Sequence, residues 1–147
     1  VQNPIKQIHK FNLDAGLITK GYDDFLESSF QIEEALEDFN LAELAHAVGS
    51  ESTSAKDVSR AILDLAPGEL TDVQRLDKAC DALIFSVGSM AKLGLNPNQI
   101  TKAVNLVMQA NNQKLVNKKF DSLGKLIKDP SFIGPEAKLQ LILDERT

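Results

Sequence analysis

Tryptophan is absent, and one cysteine, Cys80, stands alone among 147 residues. A single thiol excludes an internal disulfide framework and predicts a reducing, cytoplasmic setting. Positive charge is not in excess. The net charge is -5 with a pI near 5.0, and lysine and arginine are scattered. That excludes the electrostatic footprint of a nucleic-acid or anionic-membrane partner. No apolar run approaches the ~20 residues of a membrane span, and the first residues, VQNPIKQIHK, lack the apolar core of a signal peptide. Aromatics are few: seven phenylalanines and one tyrosine. Most sit at core spacing, where a ring buries a large apolar area. Internal repeats, low-complexity stretches and strand-like alternation with hairpin-spaced turns are also missing. The hydrophobic and charged contents, 43% and 25%, are ordinary for a globular chain. The expectation is one domain over residues 1–147, able to bury roughly two-thirds of its unfolded surface.

What is present is a series of helix start and stop signals. Asn3-Pro4 reads as an N-cap with proline at the first helical position. Residues 16–21 read as a break. A long helix is expected from about Asp23 to Val48, with Phe25, Ile32, Leu36 and Phe39 near helical spacing and Gly49 as its C-cap. Ser54, with Asp57 three residues on, caps a helix over Ala55–Leu65. Thr71 and Gln74 form a capping box for a helix to Leu93, and Asn96-Pro97-Asn98-Gln99 repeats the device for a helix to about Leu115. Within the first of these, Leu76, Cys80, Leu83 and Val87 make an apolar stripe, so Cys80 reads as a small core residue. From Val116 on, Gly124, Pro130, Gly134 and Pro135 crowd together, predicting an extended arm (about 116–147) with a last short helix over Ala137–Leu143. The fold class is all-α, with a four-helix-bundle-like core.

Two acidic clusters stand on separate predicted helices. One is Glu33, Glu34 and Glu37 in QIEEALE; the other is Asp77 and Asp81 in LDKACD. Residues three or four apart share a helix face, so Glu33 lies beside Glu37, and Asp77, Asp81, Ile84 and Gly88 share another. The aspartates open the uncharged run ALIFSVGSMA, which reads as buried. A buried carboxylate must be paired, protonated or metal-bound. If the two helices pack antiparallel, five carboxylates line one cleft, which suits Mg²⁺ with its preference for oxygen ligands. Spacing alone leaves the bland alternative open: a solvated glutamate face, and aspartates that cap or pair with Lys78.

The ordered set adds to this. EExxE, an acidic pair one turn apart opening an apolar helix, KLGL-x-P, and a helix ending in AN-x-x-K together resemble the all-α NTP pyrophosphatases. That superfamily includes MazG-type enzymes, phosphoribosyl-ATP pyrophosphohydrolases and dimeric dUTPases. IHKFN near the start and GKLIKDPSFIGPE in the tail resemble its opening segment and its C-terminal arm. The resemblance implies Glu34, Glu37, Asp77 and Asp81 as metal ligands, Glu33 and Glu37 as catalytic carboxylates, and Asn111 and Lys114 as substrate contacts. One departure is Lys78, which stands where many members carry a glutamate; Asp77 is taken as its replacement. The implied reaction is Mg²⁺-dependent hydrolysis of a nucleoside triphosphate between the α and β phosphates, with Mn²⁺ as the alternative ion. Phosphoribosyl-ATP is the alternative substrate, and a non-catalytic helical scaffold the alternative class. Apolar residues on several sides of Ala79–Leu93 call for a second subunit, and the resemblance implies a homodimer or homotetramer.

Overall fold

The computed structural model describes residues 2–146. The order of elements is α1 (Pro4–Asp14), α2 (Asp24–Leu36), α3 (Ala42–Val48), α4 (Ala55–Asp64), α5 (Asp72–Lys92), α6 (Pro97–Asn112), β1 (Lys119–Phe120), β2 (Leu126–Ile127) and α7 (Glu136–Asp144). Short 3-10 turns occupy Ile18–Lys20 and Gln113–Leu115. The fold is therefore predominantly helical. No helix among the described residues is long and apolar enough to cross a membrane.

The local signals are realised as hydrogen bonds. Asn3 Oδ1 accepts from the amides of Ile5 and Lys6, and Ser54 Oγ accepts from Asp57 N at 3.1 Å. Both capping boxes form, Thr71 with Gln74 and Asn96 with Gln99. These side chains satisfy amides that the first helical turn leaves without partners. Gly49 ends α3 at φ 73°, a left-handed conformation that costs glycine nothing.

The chain packs as two compact units, residues 22–75 and the remainder, 1–21 with 76–147. In the unit 22–75, α2 and α3 both pack on α4. Its core is Leu41, Ala45 and Val58, with Leu36, Leu44, Val48 and Ile62 against them. The α2–α4 contact is built on small side chains. Ser28, Ser29 and Ser59 are buried, and the hydroxyls of Ser29 and Ser59 donate to the carbonyls of Leu26 and Lys56, both at 2.8 Å. An internal bond of this kind removes the penalty of burying a hydroxyl. Asp24 closes the unit. Its carboxylate accepts from Arg75 Nε at 3.1 Å, Arg75 Nη2 at 3.0 Å and Leu70 N at 3.0 Å, while the guanidinium lies 4.7 Å from the Tyr22 ring. The bidentate bond to Asp24 is the main reason the Arg75 pKa is held above its ordinary value.

In the other unit α1 and α7 pack on α6. Its core is Leu95, Ala103 and Ile142, with Met90, Ile100 and Leu139 around them. Fully burying an aliphatic side chain contributes roughly 1.5–3 kcal/mol, so Val58 and Ile142 each mark where their own unit has most to lose.

Three expectations are corrected. The helix expected over Asp23–Val48 breaks after Leu36. Glu37 takes φ -54°, ψ 148°, Asp38 is left-handed at φ 68°, and Asn40 Oδ1 accepts from Ala42 N at 3.1 Å to start the next helix. Aspartate and asparagine are the residues that tolerate such a turn. Phe39 falls in the break and is 72% exposed instead of joining the core. The tail contains a short strand pair that no alternation announced. Residues 119–127 form an antiparallel hairpin, turned by Gly124 at φ 81° and by Asp121 Oδ1, which accepts from the amides of Leu123 and Lys125. Lys20 secures it from across the unit, with Nζ donating to Gly124 O at 2.9 Å and lying 4.1 Å from the Phe120 ring centre. Third, α5 was expected to be buried. No residue of its 21 is buried, and Cys80, read as a core residue, is exposed. Apolar composition reports the need for cover, not where the cover comes from.

Candidate functional site

The break after α2 builds a cleft. Because the chain leaves the helix at Glu37 and returns through Asp38, Phe39 and Leu41, it leaves a concavity of about 420 Å³ against the first turn of α4. Glu33, Glu37, Asp38 and Phe39 line one side; Thr53, Ser54 and Lys56 line the other. Glu33 and Glu37 are joined by the last helical bond, Glu37 N to Glu33 O at 3.1 Å, so the one-turn spacing survives although Glu37 itself is the cap. Glu33 is half-buried, whereas Glu34 and Glu37 are exposed. Glu34 does not line the cleft.

The electrostatics of this cleft are mixed. Carboxylates enter from the C-terminal end of α2, where a helix carries partial negative charge and attracts cations. Opposite them is the N-terminal turn of α4, which carries partial positive charge and the Lys56 ammonium. Oxygen donors predominate, with no imidazole or thiol in the lining, and that donor set suits Mg²⁺ or Mn²⁺ rather than a softer metal. Within each unit, no three Asp, Glu, His or Cys side chains among the described residues are grouped as a metal-binding set.

The other expected residues belong to the other unit. Asp77 and Asp81 are exposed on α5 one turn apart, with Gly88 further along the same face; a Cβ at Gly88 would meet nothing within 4 Å. Lys78 is exposed between the aspartates. Asn111 lies in the last turn of α6, and Lys114 follows in the 3-10 turn, both half-buried. The Nζ of Lys114 and that of Lys128 lie 5.6 and 5.3 Å from the centre of the Phe132 ring, so the tail gathers two cations on one aromatic. Gln113 holds that tail in place, donating to Ile133 O at 2.7 Å and accepting from Ile133 N at 2.8 Å. The structure thus brings Glu33 and Glu37 into one cleft within one unit, and sets Asp77, Asp81, Asn111 and Lys114 in the other.

Two residues were missed in the sequence. Asp38 lines the cleft, and its signal was the D-F-N run, whose acidic and amide residues permit a left-handed break inside an otherwise helical pattern. Glu27 on α2 is half-buried, and burial, then the neighbouring Asp23 charge, pushes its pKa up. Nothing in its sequence context distinguished it from an exposed first-turn acid. A further cavity of about 400 Å³ lies in the other unit among Leu95, Val107, Met108 and Ile142. Its apolar lining offers no group to bind or activate a phosphate. No family model, curated protein or solved structure matches this chain.

Proposed function

We propose that the protein is a divalent-metal-dependent nucleotide pyrophosphohydrolase, cleaving a nucleoside triphosphate between its α and β phosphates to a monophosphate and pyrophosphate. The observation that carries the reading is the cleft in which Glu33, Glu37 and Asp38 face the N-terminal turn of α4 and Lys56. It offers oxygen ligands for a cation beside a positive end for a phosphate. The reading requires Asp77 and Asp81 to complete the carboxylate set with Glu34 and Glu37. It carries with it a four-helix-bundle-like core, a C-terminal arm over about 116–147, a cytoplasmic setting, and assembly as a homodimer or homotetramer.

Chemistry supplied by Mg²⁺ or Mn²⁺ at such a site is charge neutralisation on the phosphates and acidification of a water. The chain's own residues do the rest. Glu33 accepts a proton from the attacking water. Lys114 places a point charge against the phosphates, and Asn111 hydrogen-bonds the phosphates or sugar. Phe39, exposed on the cleft rim, offers a ring face to the base. Transfers of this kind depend mainly on positioning and electrostatic stabilisation, which fixed side chains provide.

Incubation with a panel of NTPs and dNTPs plus Mg²⁺ or Mn²⁺, assayed for pyrophosphate, tests the reading. Release from at least one nucleotide, abolished by chelation, is expected. No release from any nucleotide, phosphoribosyl-ATP included, would leave the non-catalytic scaffold as the better description.

A further inference from the structure

The apolar cavity of about 400 Å³ lies wholly within the unit of residues 1–21 and 76–147, and the hydrolase reading does not use it. Its floor is made of buried residues, Leu95, Ala103, Met108 and Ile142. Its mouth is marked by Ile8 and Leu93, which line it and are exposed. Every lining side chain is apolar. Interiors close-pack with few voids larger than a water molecule, because the walls of an empty space lose their dispersion partners. Ordered water does not fill this one, since it needs polar partners that the lining lacks. Both of the chain's methionines, Met90 and Met108, are among the lining residues. Methionine is unbranched and polarisable, the side chain best able to reshape itself around an apolar ligand.

A cation stands beside that mouth. Arg146 donates from Nη1 to Leu93 O at 2.7 Å and from Nε to Leu143 O at 2.8 Å, bridging the backbone of two lining residues. Its stem lies over Gly94, where a Cβ would meet Arg146 Cδ at 3.4 Å. These bonds fix the guanidinium next to the exposed Leu93 and use two of the five donors such a group carries. The neighbouring carboxylates are engaged elsewhere: Asp144 accepts from Gln140 at 2.9 Å, and Glu145 lies 3.8 Å from Lys102. We infer that the cavity binds a free fatty acid of medium length, its tail on the floor and its carboxylate on Arg146. Volume sets the length. An apolar cavity of ~150 Å³ takes up benzene, so about 400 Å³ accommodates on the order of fifteen non-hydrogen atoms. That suits a single chain of roughly ten to twelve carbons and excludes a two-chain phospholipid. The head group follows from the planar guanidinium, whose fork matches the two oxygens of a carboxylate. A second polar group on the ligand would be left unpaired on the floor, so the tail is a plain hydrocarbon. The site owes nothing to the acidic clusters, and it stands whether or not the protein is a hydrolase.

Calorimetric titration of the full chain with decanoate, kept below the concentration at which it self-associates, tests the inference. Saturable binding of one decanoate per chain is expected, with a Kd in the micromolar range, and decanol should bind at least tenfold more weakly. Val107→Phe, which puts a ring into the cavity, should lower decanoate affinity at least tenfold. A second variant keeps the test intact if that one does not fold. Arg146→Gln, at an exposed position, should weaken decanoate at least tenfold and leave decanol unchanged. A wild type that shows no saturable decanoate binding, or an Arg146→Gln protein that binds it as tightly as the wild type, would overturn the inference. Two other occupants would overturn it as well. Co-sedimentation with phosphatidylcholine vesicles, abolished by Val107→Phe and unaffected by decanoate, would assign the cavity to a membrane lipid. A Val107→Phe protein with altered sedimentation and unaltered decanoate affinity would assign it to another protein surface.

Discussion

The two acidic clusters, one of glutamates and one of aspartates, set carboxylates at the same one-turn spacing, yet their surroundings differ completely. Glu33 and Glu37 sit where a helix stops, and the stop creates a concave wall facing the positive end of α4. Asp77 and Asp81 sit in the first half of an uninterrupted helix with no buried residue on any side. A concave site can hold a ligand with one unit's residues; a convex helix face needs a second surface. The first cluster thus lines a concavity within its own unit, and the second lies exposed on a helix of the other.

That contrast can be broken or sharpened by substitution, beginning with the largest effect. Glu37→Gln should lower turnover about 10²-fold or more, the scale of removing a positioned carboxylate, with the melting temperature unchanged. Retained activity in a steady-state pyrophosphate assay would remove Glu37 from the site. Asp81→Asn should lower it comparably, since the reading requires both clusters; unchanged turnover in the same assay would remove Asp81 from the site. Phe39→Ala should raise KM about tenfold with little change in kcat, because base stacking on an aromatic side chain is worth roughly 1–3 kcal/mol. An unchanged KM across purine and pyrimidine substrates would return Phe39 to the role of a solvent-exposed loop residue.

The smallest effect is one of pH. Burial raises the Glu27 pKa in the folded chain, so folding favours its protonated form. The stability it contributes is complete below the ordinary glutamate range and is lost as pH rises through the raised value. Glu27→Gln should therefore match the wild type in acid and melt slightly higher toward neutral pH. Melting curves collected between about pH 4 and pH 7 check the slope; a variant less stable at neutral pH would mean that the charged form is the one the fold holds.

How much of this was legible in the sequence follows from the range of each interaction. Caps are local, and the bonds of Asn3, Ser54, Thr71 with Gln74, and Asn96 with Gln99 all formed as read. The break at Asp38 was not legible because a left-handed aspartate is only tolerated, not demanded, by its neighbours. What favours it is the packing of α3 on α4 beyond it. Strands of two residues are too short to alternate, so the hairpin at 119–127 left only its glycine as a mark. The apolar run of α5 was read correctly as helix and wrongly as interior, since periodicity fixes which face is apolar but not which molecule covers it. Of the site, the pairing of Glu33 with Glu37 was legible from spacing. The wall opposite them, Ser54 and Lys56, was not, because it arrives from about twenty residues away through the tertiary fold.

Binding of Mn²⁺ followed by electron paramagnetic resonance tests the account at its root, with the wild type, Glu37→Gln and Asp81→Asn titrated in parallel. Saturable binding by the wild type, weakened at least tenfold by either substitution, is the predicted result. Wild-type protein that leaves the Mn²⁺ signal of free solution unchanged, or an Asp81→Asn protein that binds as tightly as the wild type, would contradict it.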